Sequence, residues 1–518
     1  MSHHSLITSI YRGYVCEKNE ERYRDNKKKN KKCVNVAFPH SLFSQVYHMT
    51  PLSQKKKNTP RERRSIGAMS TQHVNLFVPS FEMDQEEDVA RKTTENGGIG
   101  GGVWRFKGNK AAKEAASVSM KGTLSRLFDC CSKDVEKSIL PLGHGDPSVY
   151  PCFDTSVDAE EAVVESLRSG SANSYAPGVG ILPARRAVAN YLNREWDLPR
   201  KMKSDDIFMT VGCCQGIETL FHALAGPKAN ILIPTLIYPL YNSYAIHSLV
   251  EIRKYDLLPD LDWEIDLQGV EALADENTIA MVIINPHNPC GNVYTYEHLK
   301  KVAEVARKLG IMVISDEVYN RTIYGENKFV PMGIFSSIAP VITLGSISKG
   351  WLVPGWRIGW IAINDHDNVF KTTRVVESIK EHLNISPDPS TTLQFALPNI
   401  LEKTKKSFFE KNNSILRQNV DFAFDALKDI PCLTCPKKPE SCTYLVTKLD
   451  LSLLEDITND FDFCIQLARE ENLVLLPGEV LGLKDWVRLS IAVERSMLED
   501  AFVRLKGFYA RHIKTQLT

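Results

Sequence analysis

The sequence predicts an α/β protein built on a seven-stranded, mostly parallel sheet, and three observations carry that prediction. Short apolar runs recur at 207 to 211, 230 to 234, 250 to 257, 279 to 284, 310 to 315, 341 to 345 and 358 to 363. Several are separated by stretches with helical spacing, such as 215 to 225 and 296 to 309, the alternation of strands with crossover helices. Residues able to do chemistry then follow the runs, at the strand ends where such sheets hold ligands.

The 518 residues are 43% hydrophobic, enough to bury a large core. No uninterrupted apolar run approaches the roughly 20 residues of a membrane helix, so no membrane partner is expected. The zero net charge hides an asymmetry: residues 1 to 68 carry 15 Lys or Arg against 5 Asp or Glu, and the remainder 48 against 58. Lysines of that acidic body are dispersed among carboxylates and not gathered with aromatics, so no nucleic-acid partner is expected. The twelve cysteines follow a start that lacks a secretory apolar segment, which points to reduced thiols and a cytoplasmic setting. Cys432-x-x-Cys435 with Cys442 lacks a fourth ligand at matched spacing, so no metal is expected.

Residues 1 to 68, with basic clusters at Lys27 to Lys32, Lys55 to Lys57 and Arg61 to Arg64, read as a disordered extension. Met69 is a candidate natural start, and Glu17, Glu20, Glu21 and Asp25 argue against a transit peptide. The Gly97-to-Gly102 run has no strand before it and reads as a linker. A helical pattern begins at Val118 and breaks at Leu142-Gly143-His144-Gly145-Asp146-Pro147. Helices are predicted at 158 to 169 and 181 to 195, with Tyr175 on the turn-rich loop between them.

The first run of the sheet is followed by Gly212-Cys213-Cys214-Gln215 and a helix, whose free N–H groups suit an anion. The fourth ends in Asn285-Pro286-His287-Asn288-Pro289-Cys290-Gly291, a rigid turn, and the fifth in Asp316-Glu317-Val318-Tyr319. The sixth leads into Ser346-Ile347-Ser348-Lys349, with Arg357 eight residues on among glycines, a proline and tryptophans. A lysine held there, beside apolar rings, loses its proton more readily and becomes an amine nucleophile for a Schiff base. Each residue has an ordinary alternative: turn chemistry for Asn before Pro, a helix cap for Asp, core for Tyr319, a surface turn for the lysine. Their joint occurrence at the strand ends of one sheet favours a site.

Asn285-Pro286-x-Asn288-Pro289-x-Gly291, Ser315-Asp316-Glu317-Val318-Tyr319 and Ser346-x-Ser348-Lys349 through Pro354-Gly355-Trp356-Arg357 together make residues 100 to 510 resemble the fold-type I pyridoxal-phosphate enzymes, specifically the tyrosine aminotransferase group. Leu142 to Pro151, Gly180-Ile181-Leu182-Pro183-Ala184-Arg185-Arg186 and Cys435-Pro436-Lys437-Lys438-Pro439-Glu440-Ser441-Cys442 resemble a plant branch that also includes cystine lyases and an alkyl-thiohydroximate C-S lyase.

The resemblance implies pyridoxal 5'-phosphate as cofactor, held by Lys349 as a Schiff base, with Lys349 also moving the substrate's Cα proton. It implies Asp316 on the pyridine nitrogen, Asn288 and Tyr319 on the ring's phenolic oxygen, and Tyr238 stacked on the ring. The phosphate would be held by Arg357, Ser346, the amides of Cys213 and Cys214, and Tyr175 from the other subunit of a homodimer. Arg488 would clamp the substrate carboxylate, with Gly145 and Asn288 beside it. The chain departs from the group's usual Pro-Arg-Pro-Gly-Phe-Pro at Pro234-Thr235-Leu236-Ile237-Tyr238-Pro239, and from its common hydroxyl residue at Cys214.

The implied architecture is an arm at 69 to 117, a large domain at 166 to 384, and a small α+β domain formed by 118 to 165 and 385 to 518, with amphipathic helices at 461 to 470 and 497 to 509. The implied reaction is transamination between an aromatic or related amino acid and a 2-oxo acid. C-S β-elimination from a cysteine-type substrate is the alternative, since both begin by removing the Cα proton.

Overall fold

A computed structural model describes Gly108, residues 119–132 and residues 137–514. The basic extension, nearly all of the arm and the Gly97-to-Gly102 run lie outside the described residues. Seven strands form the main sheet: β1 (Ile207–Val211), β2 (Asn230–Pro234), β3 (Glu251–Tyr255), β4 (Thr278–Ile284), β5 (Met312–Asp316), β6 (Val341–Ser346) and β7 (Ile358–Asn364). Their order is β1-β7-β6-β5-β4-β2-β3. Pairing is parallel from β6 across to β3, while β7 runs antiparallel to both β1 and β6.

Strands covered on both faces are expected to be apolar throughout, and β6 and β7 are buried at every position. The outer strand β3 carries exposed Glu251 and Lys254, charges that discourage pairing with another chain. Register then aligns the strand ends: Ile284 pairs with Asp316 and Asp316 with Leu344. Ser346 pairs with Gly359, and Val211 with Ile358. Because β7 is antiparallel, its first residue lies at the edge where β1 and β6 finish, and Arg357 just before it joins the residues that follow the other strands.

Helices cover the faces: α1 (Met120–Asp129), α2 (Val157–Ser169), α3 (Leu182–Glu195), α4 (Gly212–Leu224), α5 (Leu240–Ser248), α6 (Tyr296–Leu309), α7 (Thr391–Lys403), α8 (Lys406–Ala426), α9 (Asp460–Glu471) and α10 (Arg495–His512). One core cluster joins β1 and β7 to α2, α3 and α7 through Val188, Ile207, Trp360 and Leu397. Another joins α4 and α5 to the sheet through Phe221, Tyr241, Val282, Ile314 and Leu344.

A second sheet, of order β8-β9-β11-β10, is built from β8 (Leu433–Thr434), β9 (Tyr444–Leu449), β10 (Leu476–Pro477) and β11 (Trp486–Ser490), all pairs antiparallel. It packs with α8, α9 and α10 into a third cluster through Leu416, Leu445, Leu467, Val487 and Leu505. The segment before α2 completes it: Leu140 and Gly143 hydrogen-bond along Asn472 and Val474, and Ser490 N donates to Leu142 O at 2.7 Å.

Candidate active site

The edge of the main sheet gathers the predicted residues. Asp316 ends β5 and is 7% exposed. Burial pushes its carboxyl up to about 6, against the opposing pull of hydrogen bonds from the Tyr241 hydroxyl (2.9 Å) and the Val318 amide (3.3 Å) and of the Lys349 charge. Lys349 lies three residues past the end of β6, half-buried, with Nζ 5.8 Å from the Tyr319 ring centroid. The Tyr319 ring is 1% exposed, and its hydroxyl lies beside Cys442 and Thr443 without a well-formed hydrogen bond. The Asn288 side chain, between two cis prolyl bonds, likewise has a buried Oδ1 with no partner. Orphaned buried polar atoms are uncommon, and two at one sheet edge point to a polar ligand.

Two guanidinium groups of this site, those of Arg357 and Arg488, hydrogen-bond to backbone carbonyls and have no carboxylate partner among the described residues. Arg357 donates to Pro354 O at 2.9 Å and Val211 O at 3.3 Å, and packs on Gly212 at the start of α4. Gly212 has φ +66°, and a Cβ there would lie 2.8 Å from Arg357 Cζ, so glycine permits this approach. The first amides of α4, those of Gly212, Cys213 and Cys214, have no intrahelical acceptor, which with Arg357 makes an anion cradle. The Cys213 thiol, half-buried, is pushed well above its usual range by burial and by the Asp316 charge.

Arg488 sits in the middle of β11, paired with Val446 and Leu476, and is 1% exposed. Its Nη2 donates to Gly143 O at 3.0 Å, its Nε has no partner, and its guanidinium lies 3.9 Å from the Tyr444 ring centroid. A buried cation without its anion is costly, so this position suits a carboxylate supplied by a ligand. Tyr444 also fills the space beside Gly145, where any Cβ would overlap its hydroxyl.

The remaining candidates are placed less directly. Ser346 spends its hydroxyl inside the turn, on Ile358 O (3.0 Å), Ser348 Oγ (2.8 Å) and the Ser348 amide (2.9 Å), so it shapes the lysine loop. Tyr238 is half-buried near Cys214 and Tyr444, and burial raises its phenol. The departure before it is absorbed by packing: Leu236 and Ile237 are each 1% exposed, and Thr235 hydrogen-bonds Asp256 at 2.8 Å. Tyr175 is 98% exposed and is not brought to this constellation within one chain. Sequence reasoning missed Tyr241, Tyr444 and Cys442. A tyrosine in a helix or strand reads as core, although Tyr241 falls one helical turn after Tyr238.

The family described as aminotransferase class I and II matches residues 137–505. The chain is 62% identical over 442 residues to S-alkyl-thiohydroximate lyase SUR1 of Arabidopsis thaliana, covering 85% of this chain and 94% of that protein. It is 60% identical over 444 residues to the probable aminotransferase TAT1 of the same plant, covering 85% and 96%. The solved tyrosine aminotransferase of Leishmania infantum superposes with a TM-score of 0.73 at 28% identity, covering 80% of this chain and all of that one. The chain belongs to the aminotransferase class I and II family.

Proposed function

We propose that the protein is a pyridoxal 5'-phosphate-dependent aminotransferase that passes the amino group of an aromatic or related amino acid to a 2-oxo acid. The observation that carries this reading is the pair of unmatched guanidinium groups, Arg357 and Arg488, in a site that also holds Lys349 and the buried Asp316. The residues fit the cofactor part by part. Arg357 and the first amides of α4 suit its phosphate, Asp316 its ring nitrogen, and the orphaned Tyr319 hydroxyl its phenolic oxygen, to which the Asn288 Nδ2 would be a second donor.

When bound, pyridoxal phosphate supplies an electron sink for charge developing at the amino acid's Cα. Arg488 holds the substrate carboxylate, and Tyr444 stacked on it limits how the guanidinium can turn. Lys349 Nζ accepts the Cα proton. Asp316, in its charged form, would keep a proton on the cofactor's ring nitrogen. Exposed Tyr175 supports a homodimer in which this phenol serves the other subunit's site. A cytoplasmic setting belongs to the same proposal, supported by ten described cysteines that are all free thiols.

C-S β-elimination is the second reading, favoured by the 62% identity to an S-alkyl-thiohydroximate lyase. Both reactions use Lys349 to remove the Cα proton and part afterwards, elimination breaking the Cβ–S bond. Tyrosine with 2-oxoglutarate in one reaction and cystine in another separates them. Aromatic oxo acid from the first is the expected result. Pyruvate from cystine, with no oxo acid from tyrosine, would replace transamination by elimination.

A further inference from the structure

Asp316 has no cation within ion-pairing distance among the described residues, so its charge rests on its hydrogen-bond donors. The strongest of these comes from outside the strand-end motifs. Tyr241, on α5, is fully buried and packs edge-on against Phe221 at 6.3 Å. Its hydroxyl has a single hydrogen bond, 2.9 Å to Asp316 Oδ2. The contact from the Val318 amide is longer at 3.3 Å and goes to Oδ1, and the Cys213 thiol adds a weaker donor.

We propose that Tyr241 is a positioning residue for Asp316: its phenol holds the carboxylate charged and fixes its orientation toward the cofactor's ring nitrogen. The inference rests on the pyridoxal-phosphate reading above. A buried phenol stays protonated, so it donates at every working pH and cannot compete as an anion. Burial already pushes Asp316 up to about 6, and a donor to the charged form opposes that rise. The other ionisable groups around the carboxylate are Lys349 on the turn after β6, Cys213 on α4 and the adjoining Glu317. Cys213 and Glu317 are themselves raised by burial, to well above the usual range and to about 8, so both are neutral near pH 7. Without the phenol, Asp316 would take up its proton at higher pH and release the ring nitrogen there.

The test is pyridoxal phosphate affinity, read by fluorescence from pH 5.5 to 9, for wild type and Tyr241→Phe. The variant keeps the buried ring and loses only the hydroxyl. Expected is an acid limb of the profile moved up by about one unit, so that affinity is weaker by roughly twofold at pH 7 and by close to tenfold at pH 5.5, with recovery at high pH. Affinity for inorganic phosphate should stay unchanged. In an Asp316→Asn background, Tyr241→Phe should add no further loss. An unmoved profile, an equal loss at every pH, or an added loss in the Asp316→Asn background would overturn the assignment. Wild-type protein that fails to bind pyridoxal phosphate would instead overturn the cofactor reading on which it rests.

Discussion

Asp316 and Arg488 are buried charges without an ion-pair partner among the described residues, and for Asp316 the cost of holding the charge depends on pH. Asp316 has a folded-state value of about 6 against an ordinary 3.8, so the folded chain binds the extra proton between those values. Its ionisation therefore costs stability, fully so above about pH 6 and not at all below about pH 4. Asp316→Asn is expected to stabilise the cofactor-free protein at pH 8 by about 1–3 kcal/mol, to leave it unchanged at pH 4, and to weaken cofactor binding; thermal melts at the two pH values check this. On the proposed reading, Arg488→Ala should lower kcat/KM by on the order of a hundredfold, mostly through KM, because it would remove the group assigned to the substrate carboxylate. Steady-state kinetics with tyrosine measures it. Lys349, Asp316 and Arg357 were legible because their positions after or before apolar runs are written in the chain. Tyr241 was not, since its acceptor lies 75 residues further on.

The seven strands were legible as apolar runs because both faces of the sheet are covered. Their direction was not: an apolar run reads alike either way, and β7 proves antiparallel. That reversal is what brings Arg357 to the edge from the residue preceding its strand. Helix α4 begins at Gly212, earlier than the helical spacing from 215 predicts, because the left-handed glycine turns the chain straight from β1 into the helix. Gly212→Ala should cost about 1–3 kcal/mol through backbone strain and should displace Arg357, with a matching loss of affinity for inorganic phosphate. Denaturant unfolding and calorimetric titration measure the two effects. A stable variant that binds phosphate normally would remove Gly212 from the anion cradle.

At the scale of the molecule, residues 435 to 442 carry the resemblance to the plant branch, and the structure gives them a mechanical role. They form a strap from the second sheet to the loops of the main sheet. Glu440 O accepts from the Tyr324 and Gly325 amides at 2.9 Å, and Glu440 N donates to Gly291 O at 2.9 Å. Ser441, fully buried, donates its hydroxyl to Thr322 O at 2.5 Å, and its carbonyl accepts from the Tyr324 hydroxyl at 2.7 Å. The strap leads into Cys442, at φ +73°, whose thiol feels the charges of both Lys349 and Arg488, and then into Tyr444, the ring stacked on Arg488. Such pairing across distant segments has no periodicity for a sequence to show. Ser441→Ala should cost about 1–2 kcal/mol in urea unfolding and raise KM more than it lowers kcat. That Lys349 holds the cofactor is tested most directly by finding where pyridoxal phosphate becomes fixed when the loaded protein is reduced with borohydride. Peptide mass mapping should place one pyridoxyl group on Lys349 and none on the Lys349→Ala protein. A pyridoxyl group on another lysine, or no fixed cofactor at all, would contradict the account.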